Sequence, residues 1–243
     1  MAARILLVDD ATAVTELFGS VLVRELGCEV VVAARPTDVG AHLRAGEPFD
    51  AAVVDLSFPH EEANGLDALV AIHRHDPSIR LVILTQGDDW VADLLRDAWE
   101  ALPLAGAVSK STPTDGQVEL LRRVLRDGSA PPDPVLQPWL PRERSPWRRA
   151  EGFGRLVQHV GHAKLWQALI EGEIEPSYRD LANATGLKLN TLKNYRAQLL
   201  GELALHGLDD PSMHEMQAFA KRCRPLLAPH LAARLEGSAP VRS

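Results

Sequence analysis

Over the first 127 residues, short apolar runs alternate with segments whose apolar positions recur at helical spacing. The runs lie at 4–8, 29–33, 51–55, 80–85 and 104–109 and are apolar almost throughout. That is the pattern of strands in a parallel sheet covered on both faces. In the segment after the first run, Val14, Leu17, Phe18, Val21 and Leu22 follow the i, i+3, i+4, i+7, i+8 spacing of one helix face, so they are predicted to face the core. Further helices are predicted at 36–45, 66–75, 89–101 and 114–127. Five such βα units predict an α/β doubly wound, five-stranded parallel sheet.

The alternation stops at Gly128. Residues 128–152 hold Pro131, Pro132, Pro134, Pro138, Pro141 and Pro146, with Arg142, Arg144, Arg148 and Arg149 towards the end, and read as a semi-rigid extended linker. Trp139 and Trp147 give this stretch something to pack with. From 153 the periodicity is helical only, predicting helices at 153–171, 177–184, 189–204, 212–222 and 226–236. The predicted organisation is an α/β domain over 1–127, a linker over 128–152, a small all-α domain over 153–208 and a helical extension and tail over 209–243. In the extension, Met213, Met216, Phe219 and Ala220 make an apolar face, read either as a cap on the domain or as a dimer contact.

Composition is that of an ordinary globular protein, 46% apolar and 24% charged. No apolar run approaches the ~20 residues that span a bilayer. Acids follow the first apolar stretch too closely for a signal peptide, so no membrane and a cytoplasmic location are expected. Cys28 and Cys223 are far apart and lack metal-ligand spacing, so two reduced thiols are expected. The net charge of −7 divides unevenly: residues 1–127 carry 11 Lys and Arg against 21 Asp and Glu, and residues 128–243 carry 15 against 12. Between positions 181 and 201, Lys188, Lys193 and Arg196 occur with no acid, a modest local positive patch.

In a doubly wound sheet, ligands sit beyond the carboxyl ends of the strands, near the switch in strand order. The predicted strands end in chemistry: Asp9-Asp10 after the first, Asp55 after the third, Thr85 at the fourth, Ser109-Lys110 at the fifth. Each alone reads as a cap or a solvated group; together they would share one crevice. Three adjacent carboxylates repel one another unless a cation joins them, and a hard divalent ion with oxygen ligands, Mg²⁺, suits them. A carboxylate so ordered can attack phosphorus, and phosphoryl transfer needs mainly alignment and charge neutralisation. Lys110 and Thr85 would supply an ammonium and a hydroxyl to the phosphoryl oxygens.

The motifs ILLVDD, VVDLSFP, VILTQ and VSKS, in that order, resemble the receiver domain of two-component response regulators over residues 4–127. The resemblance implies a flavodoxin-like receiver fold and Asp55 as phospho-acceptor, served by a histidine kinase. It also implies Mg²⁺ held by Asp9, Asp10, Asp55 and the Ser57 carbonyl, with Thr85 and Lys110 as the family's hydroxyl and lysine. Pro59 matches the proline four residues after the acceptor. The chain departs from the pattern at Ala107, where the family usually has a switching Tyr or Phe, and at Gln86, where it usually has a small residue. The 59–65 loop and the 86–109 stretch are also longer. A receiver switched by a ligand or partner instead of phosphate therefore stays open.

Residues 177–203, SYRDLANATGLKLNTLKNYRAQLLGEL, predict a short helix, a turn at Gly186 and a second helix. Leu192, Tyr195, Leu199 and Leu203 form its inward stripe, which leaves Thr191, Lys193, Asn194, Arg196 and Ala197 towards the opposite face. That mixture suits a recognition helix in a major groove. The segment resembles the helix-turn-helix of LuxR/NarL-type regulators, with Tyr195 where that family usually has histidine, and also region 4 of sigma factors. The resemblance implies DNA contacts from Lys188, Asn190, Thr191, Lys193, Asn194 and Arg196, and a homodimer on a two-half-site operator. An adaptor for RNA polymerase or a sigma factor, or simply a helical pair within a bundle, are the alternatives. The second half shows no nucleophile, metal or phosphate-loop constellation, so an output enzyme is not expected.

Overall fold

A computed structural model describes residues 2–87, 91–142, 149–172 and 176–236, apart from the side chains of Thr12 and Val14. Arg144, Pro146, Trp147 and Arg148 lie outside the described residues, as do 89 and 90 of the fourth predicted helix. The chain divides into two compact units, residues 1–144 and 145–243.

In the first unit, β1 (Arg4–Val8), β2 (Glu29–Ala33), β3 (Ala51–Val54), β4 (Arg80–Thr85) and β5 (Leu104–Ser109) form one sheet. All pairs are parallel and the order is β2-β1-β3-β4-β5, the flavodoxin-like arrangement. The helices are α1 (Thr12–Leu26), α2 (Val39–Ala45), α3 (Gly65–His75), α4 (Ala92–Ala101) and α5 (Thr114–Asp127), with a 3-10 turn at Pro36–Asp38 leading into α2. Every β3 residue is fully buried, as a central strand covered on both faces requires. Ile5, Leu7, Val53, Val82 and Leu84 join Phe18, Leu22, Val118, Leu121 and Val124 of α1 and α5 in one apolar cluster.

The face predicted for α1 needs correcting. Leu17 is 69% exposed and Val21 only half-buried, whereas Thr15, Phe18, Gly19 and Leu22 are buried. α1 meets β2 at Gly19, where a Cβ would stand 3.5 Å from Val30 Cγ1, an ordinary contact, and Leu17 lies on the outward side.

The predicted linker also needs correcting. Its first part packs on the first unit: the Ala130 and Asp133 amides donate to the Ala105 and Ala107 carbonyls at 2.8 Å each, and Leu136 is fully buried. β5 is an edge strand, and a stretch with few amide donors of its own can cover it without becoming a further strand.

The second unit is all α: a 3-10 turn (Ala150–Leu156), then α6 (Val160–Glu171), α7 (Tyr178–Thr185), α8 (Leu189–Leu205), α9 (Met213–Arg222) and α10 (Arg224–Glu236). The helix predicted at 153–171 is broken because His159 caps α6, its Nδ1 accepting from the Gly161 and His162 amides. The core is aromatic: Phe153, Trp166 and Phe219 are buried together, and Trp166 Nε1 donates to the Leu156 carbonyl at 2.8 Å. Met216, Phe219, Leu226 and Leu227 are all buried, so α9 and α10 complete this core instead of extending beyond it. Cys28 and Cys223 are buried, one in each unit, and neither is in a disulfide. No described helix is long and apolar enough to cross a membrane.

His162 gives this unit a pH dependence. Its ring is fully buried, with Nε2 3.2 Å from Gln198 Oε1 and the His159 ring tilted against it at 3.9 Å. Burial, and then the charge of His159, lower its pKa, against a smaller opposing effect of Gln198. The folded unit thus prefers neutral His162, while the unfolded chain takes up the proton near ~6.5. Stability is complete above that value, falls as pH drops through it, and levels off below the folded pKa. Calorimetry should show the transition of the second unit moving to lower temperature between about pH 7.5 and about pH 5.5, and His162→Gln should flatten that shift.

Candidate functional site

The register of the sheet assembles the site. Val8 pairs with Val54, so Asp9 and Asp55 leave neighbouring strands side by side at the switch between β1 and β3. Backbone bonds carry the pairing past the strand ends: Asp9 N to Ala33 O at 3.1 Å, Asp55 N to Val8 O at 2.8 Å, Lys110 N to Thr85 O at 2.8 Å. The β4–β5 pairing shifts register between Leu81 and Val82. That irregularity aligns Thr85 with Ser109, where continuation from Leu81–Leu104 would align it with Val108. A one-residue slip exchanges the faces of a strand, so the shift decides which side of β5 Lys110 leaves from.

Gly65 fixes the floor. A Cβ on it would stand 2.0 Å from the Asp55 carbonyl oxygen and 2.6 Å from Leu56 Cα, so only glycine lets α3 begin against the Asp55 backbone. Asn64 caps that helix, accepting from the Leu66 and Asp67 amides, while the Asp67 carboxylate accepts from the Asn64 amide.

The side chains converge as the sequence predicts. Asp9 and Asp55 are buried, and the Lys110 ammonium donates to Oδ2 of each at 2.7 Å. Asp55 Oδ1 accepts from the Ser57 amide at 3.3 Å, and Asp9 Oδ1 from the Ala11 amide at 2.9 Å. Burial raises the Asp55 pKa above the ordinary carboxylate value; Lys110 pulls against this and Asp9 adds to it. At Lys110 burial acts to lower the pKa, but the Asp55 and Asp9 carboxylates outweigh it and leave the ammonium above its usual value. Thr85 is fully buried, and its Oγ1 has no hydrogen-bond partner among the described residues.

Oxygen atoms of Asp9, exposed Asp10 and Asp55 lie within 4.8 Å of one another. Three hard oxygen donors facing one ammonium leave net negative charge, a donor set that fits a divalent hard cation. Exposed Gln86 lines a cavity of about 420 Å³ together with Asp9 and Lys110. Sequence reasoning missed two supporting residues. Gln117 is buried and its amide donates to the Thr112 carbonyl at 2.7 Å and the Lys110 carbonyl at 3.3 Å, holding the loop that carries the lysine. Asp133 accepts from the Ser109 amide at 3.2 Å and from the Thr112 hydroxyl. As the one acid among the prolines of 130–141, it carried a signal that composition could have shown.

In the second unit, α7 ends at Gly186, which adopts φ 69°, and α8 follows. Leu192, Leu199 and Leu203 are buried, and Tyr195 is half-buried, edge-on to His162. Lys188, Asn190, Lys193 and Asn194 are exposed and Thr191 is half-buried; Lys193 Nζ lies 5.8 Å from the Tyr178 ring centroid. Arg196 is placed differently from the expectation. Its guanidinium donates to the Pro211 carbonyl at 2.7 and 3.0 Å and to Asp210 Oδ1 at 2.7 Å, tying α8 to the start of α9.

Residues 5–111 match the response regulator receiver domain family. Among solved structures, a two-component response regulator of the LuxR family from an Aurantimonas species is 28% identical, covering 57% of this chain and 94% of that one, with a TM-score of 0.49. A CheY-like receiver domain protein from Methanospirillum hungatei is 22% identical, covering 52% and 96%, with a TM-score of 0.44. A LuxR-family DNA-binding response regulator from Silicibacter pomeroyi is 22% identical, covering 54% and 97%, with a TM-score of 0.43. None of the curated proteins compared matches the chain.

The Arg196 clamp has a measurable worth. Arg196→Ala should destabilise the second unit by ~1.5–3 kcal/mol, the range for charged hydrogen bonds, in thermal or denaturant unfolding. Asp210→Asn should cost far less, because that carboxylate is largely exposed. Arg196→Lys should not restore stability, since an ammonium cannot make the forked contact.

Proposed function

We propose that the chain, whose residues 5–111 are a response regulator receiver domain, is a phosphorylation-controlled transcription regulator: Asp55 takes a phosphoryl group from a histidine kinase, and the helix pair α7–α8 carries the response to DNA. The observation that supports this best is the meeting of Asp9, Asp55 and Lys110 beside the unpartnered Thr85 hydroxyl. An Asp55 carboxylate oxygen attacks the phosphorus of a phosphohistidine, the P–N bond breaks as the P–O bond forms, and the imidazole leaves. Lys110 balances charge on the phosphoryl oxygens, and the Thr85 hydroxyl donates to one of them. Mg²⁺, when held by Asp9, Asp10, Asp55 and the Ser57 carbonyl, supplies further neutralisation. Gly65 and the Asn64 cap keep the acceptor's backbone still while this happens.

For the output, Lys188, Asn190, Thr191, Lys193 and Asn194 are the DNA-facing set, with the chain acting as a homodimer on paired half-sites. Arg196 leaves this set because its Nε and Nη2 are engaged by Pro211 and Asp210. That engagement also favours a second reading, in which α8 docks on RNA polymerase or a sigma factor: between positions 181 and 201 the exposed bases reduce to Lys188 and Lys193.

Incubation with acetyl phosphate and Mg²⁺ should add one phosphoryl group by intact-mass spectrometry and none to Asp55→Asn; an adduct persisting in that variant defeats the acceptor assignment. DNA selected from random sequence should bind the phosphorylated chain with strong salt dependence. Lys193→Ala should then cost ~1–3 kcal/mol if the lysine reads a base, or lower the salt slope by about one if it contacts phosphate. Salt-independent or absent binding would replace the DNA reading with the adaptor one.

A further inference from the structure

The segment 130–140 crosses the edge of β5 as a strap. Pro132, Pro134 and Gln137 line one opening with Trp99 of α4 and another with Glu119 and Leu120 of α5, so the strap lies in the groove between the two helices. Besides the Ala130 and Asp133 amide bonds to the Ala105 and Ala107 carbonyls, it is held at points beside the pocket. Asp133 accepts from the Ser109 amide at 3.2 Å and from the Thr112 hydroxyl, bracketing Lys110. Leu136 is fully buried against Gly87, two residues beyond Thr85. A Cβ at position 87 would stand 2.5 Å from Leu136 Cδ2 and 3.5 Å from the Trp139 ring, and Gly87 itself has φ 73°. The Ser109 hydroxyl joins the two loops by donating to the Gln86 carbonyl at 3.0 Å. The strap thus rests on the two loops that carry Thr85 and Lys110.

We propose that the strap is the moving part of this receiver: docked while Lys110 bridges Asp9 and Asp55, and released when a phosphoryl group occupies Asp55. The proposal rests on the phosphoryl-binding reading of the pocket given above. A phosphoryl oxygen offers the Thr85 hydroxyl the partner it lacks. Drawing Thr85 towards the pocket moves Gln86 and Gly87 with it and removes the seat of Leu136. Recruiting Lys110 to the same group shifts the 109–112 loop that Asp133 holds. The strap has a small apolar anchor and few hydrogen bonds, since Pro131, Pro132, Pro134 and Pro138 donate none. A modest differential affinity at the pocket is therefore enough to undock it. In a chain with Ala107 where receivers usually carry a switching aromatic, the strap takes over that task.

The test is hydrogen exchange on the full chain with and without beryllofluoride, a phosphoryl analogue, in the presence of Mg²⁺. Peptides over 53–59 and 80–87 report occupancy of the pocket, and peptides over 129–141 report the strap. Occupancy should slow exchange in the first set and speed it about fivefold or more in the second. Leu136→Ala should show the faster strap exchange without any analogue. By reciprocity it should also bind beryllofluoride about fivefold or more tightly. Thr85→Val, saturated with the analogue, should keep the strap docked. Protection in the pocket with an unchanged strap overturns the proposal and leaves the phosphoryl-binding reading standing. No response in either set removes both. Unaltered beryllofluoride affinity in Leu136→Ala, with its strap shown to be loose, overturns the coupling.

Discussion

One ammonium between two buried carboxylates organises the first unit. Asp9 and Asp55 stand at the ends of adjacent strands in the middle of the sheet, where two uncompensated anions would be costly. Lys110 meets both at 2.7 Å, and the lysine comes from the far edge of the sheet, so the contact spans β1, β3 and β5. It balances one of the two charges. The remaining negative charge and the unpartnered Thr85 hydroxyl leave this place in the sheet with an unmatched charge and an unmatched donor.

The rest of the unit serves that contact. Lys110 reaches the acids because the β4–β5 irregularity sets the register of the edge strand and Gln117 ties down the loop after it. Asp55 stays in place because Gly65 lets α3 start against its carbonyl. Gln117 and Gly65 act on the site only through the residues they hold. The all-α unit follows a different logic: its core is a group of rings, Phe153, Trp166 and Phe219, to which helices from both ends of the segment contribute.

The strands and the pocket were legible in the sequence for a physical reason. A central parallel strand needs apolar residues on both faces and ends where polarity returns, so the runs at 4–8 and 51–55 marked both the element and its functional tip. Leu17 was misread because periodicity gives a helix face only to within a fraction of a turn, and packing on the sheet buries Thr15, Phe18, Gly19 and Leu22 instead. Proline content marks 128–152 as a break in the alternating pattern but says nothing about docking, which Leu136 and Asp133 decide through contacts distant in sequence. Arg196 looked like its neighbour Lys193 until the loop at 210 and 211 came into reach, a tertiary fact with no local signal.

The covered edge of β5 also bears on how the protein can be cut. Ala105 and Ala107 direct their carbonyls outwards to the strap, on a short strand of sequence LAGAVS that carries no charge to deter pairing. A fragment ending after α5, where the repeating pattern stops, would bare that row of acceptors together with the apolar seat of Leu136. Such a fragment would offer other chains a strand to add to, and colloidal behaviour would be the first property to suffer. The natural seam of this unit lies beyond residue 140, in the stretch that composition alone marks as a spacer.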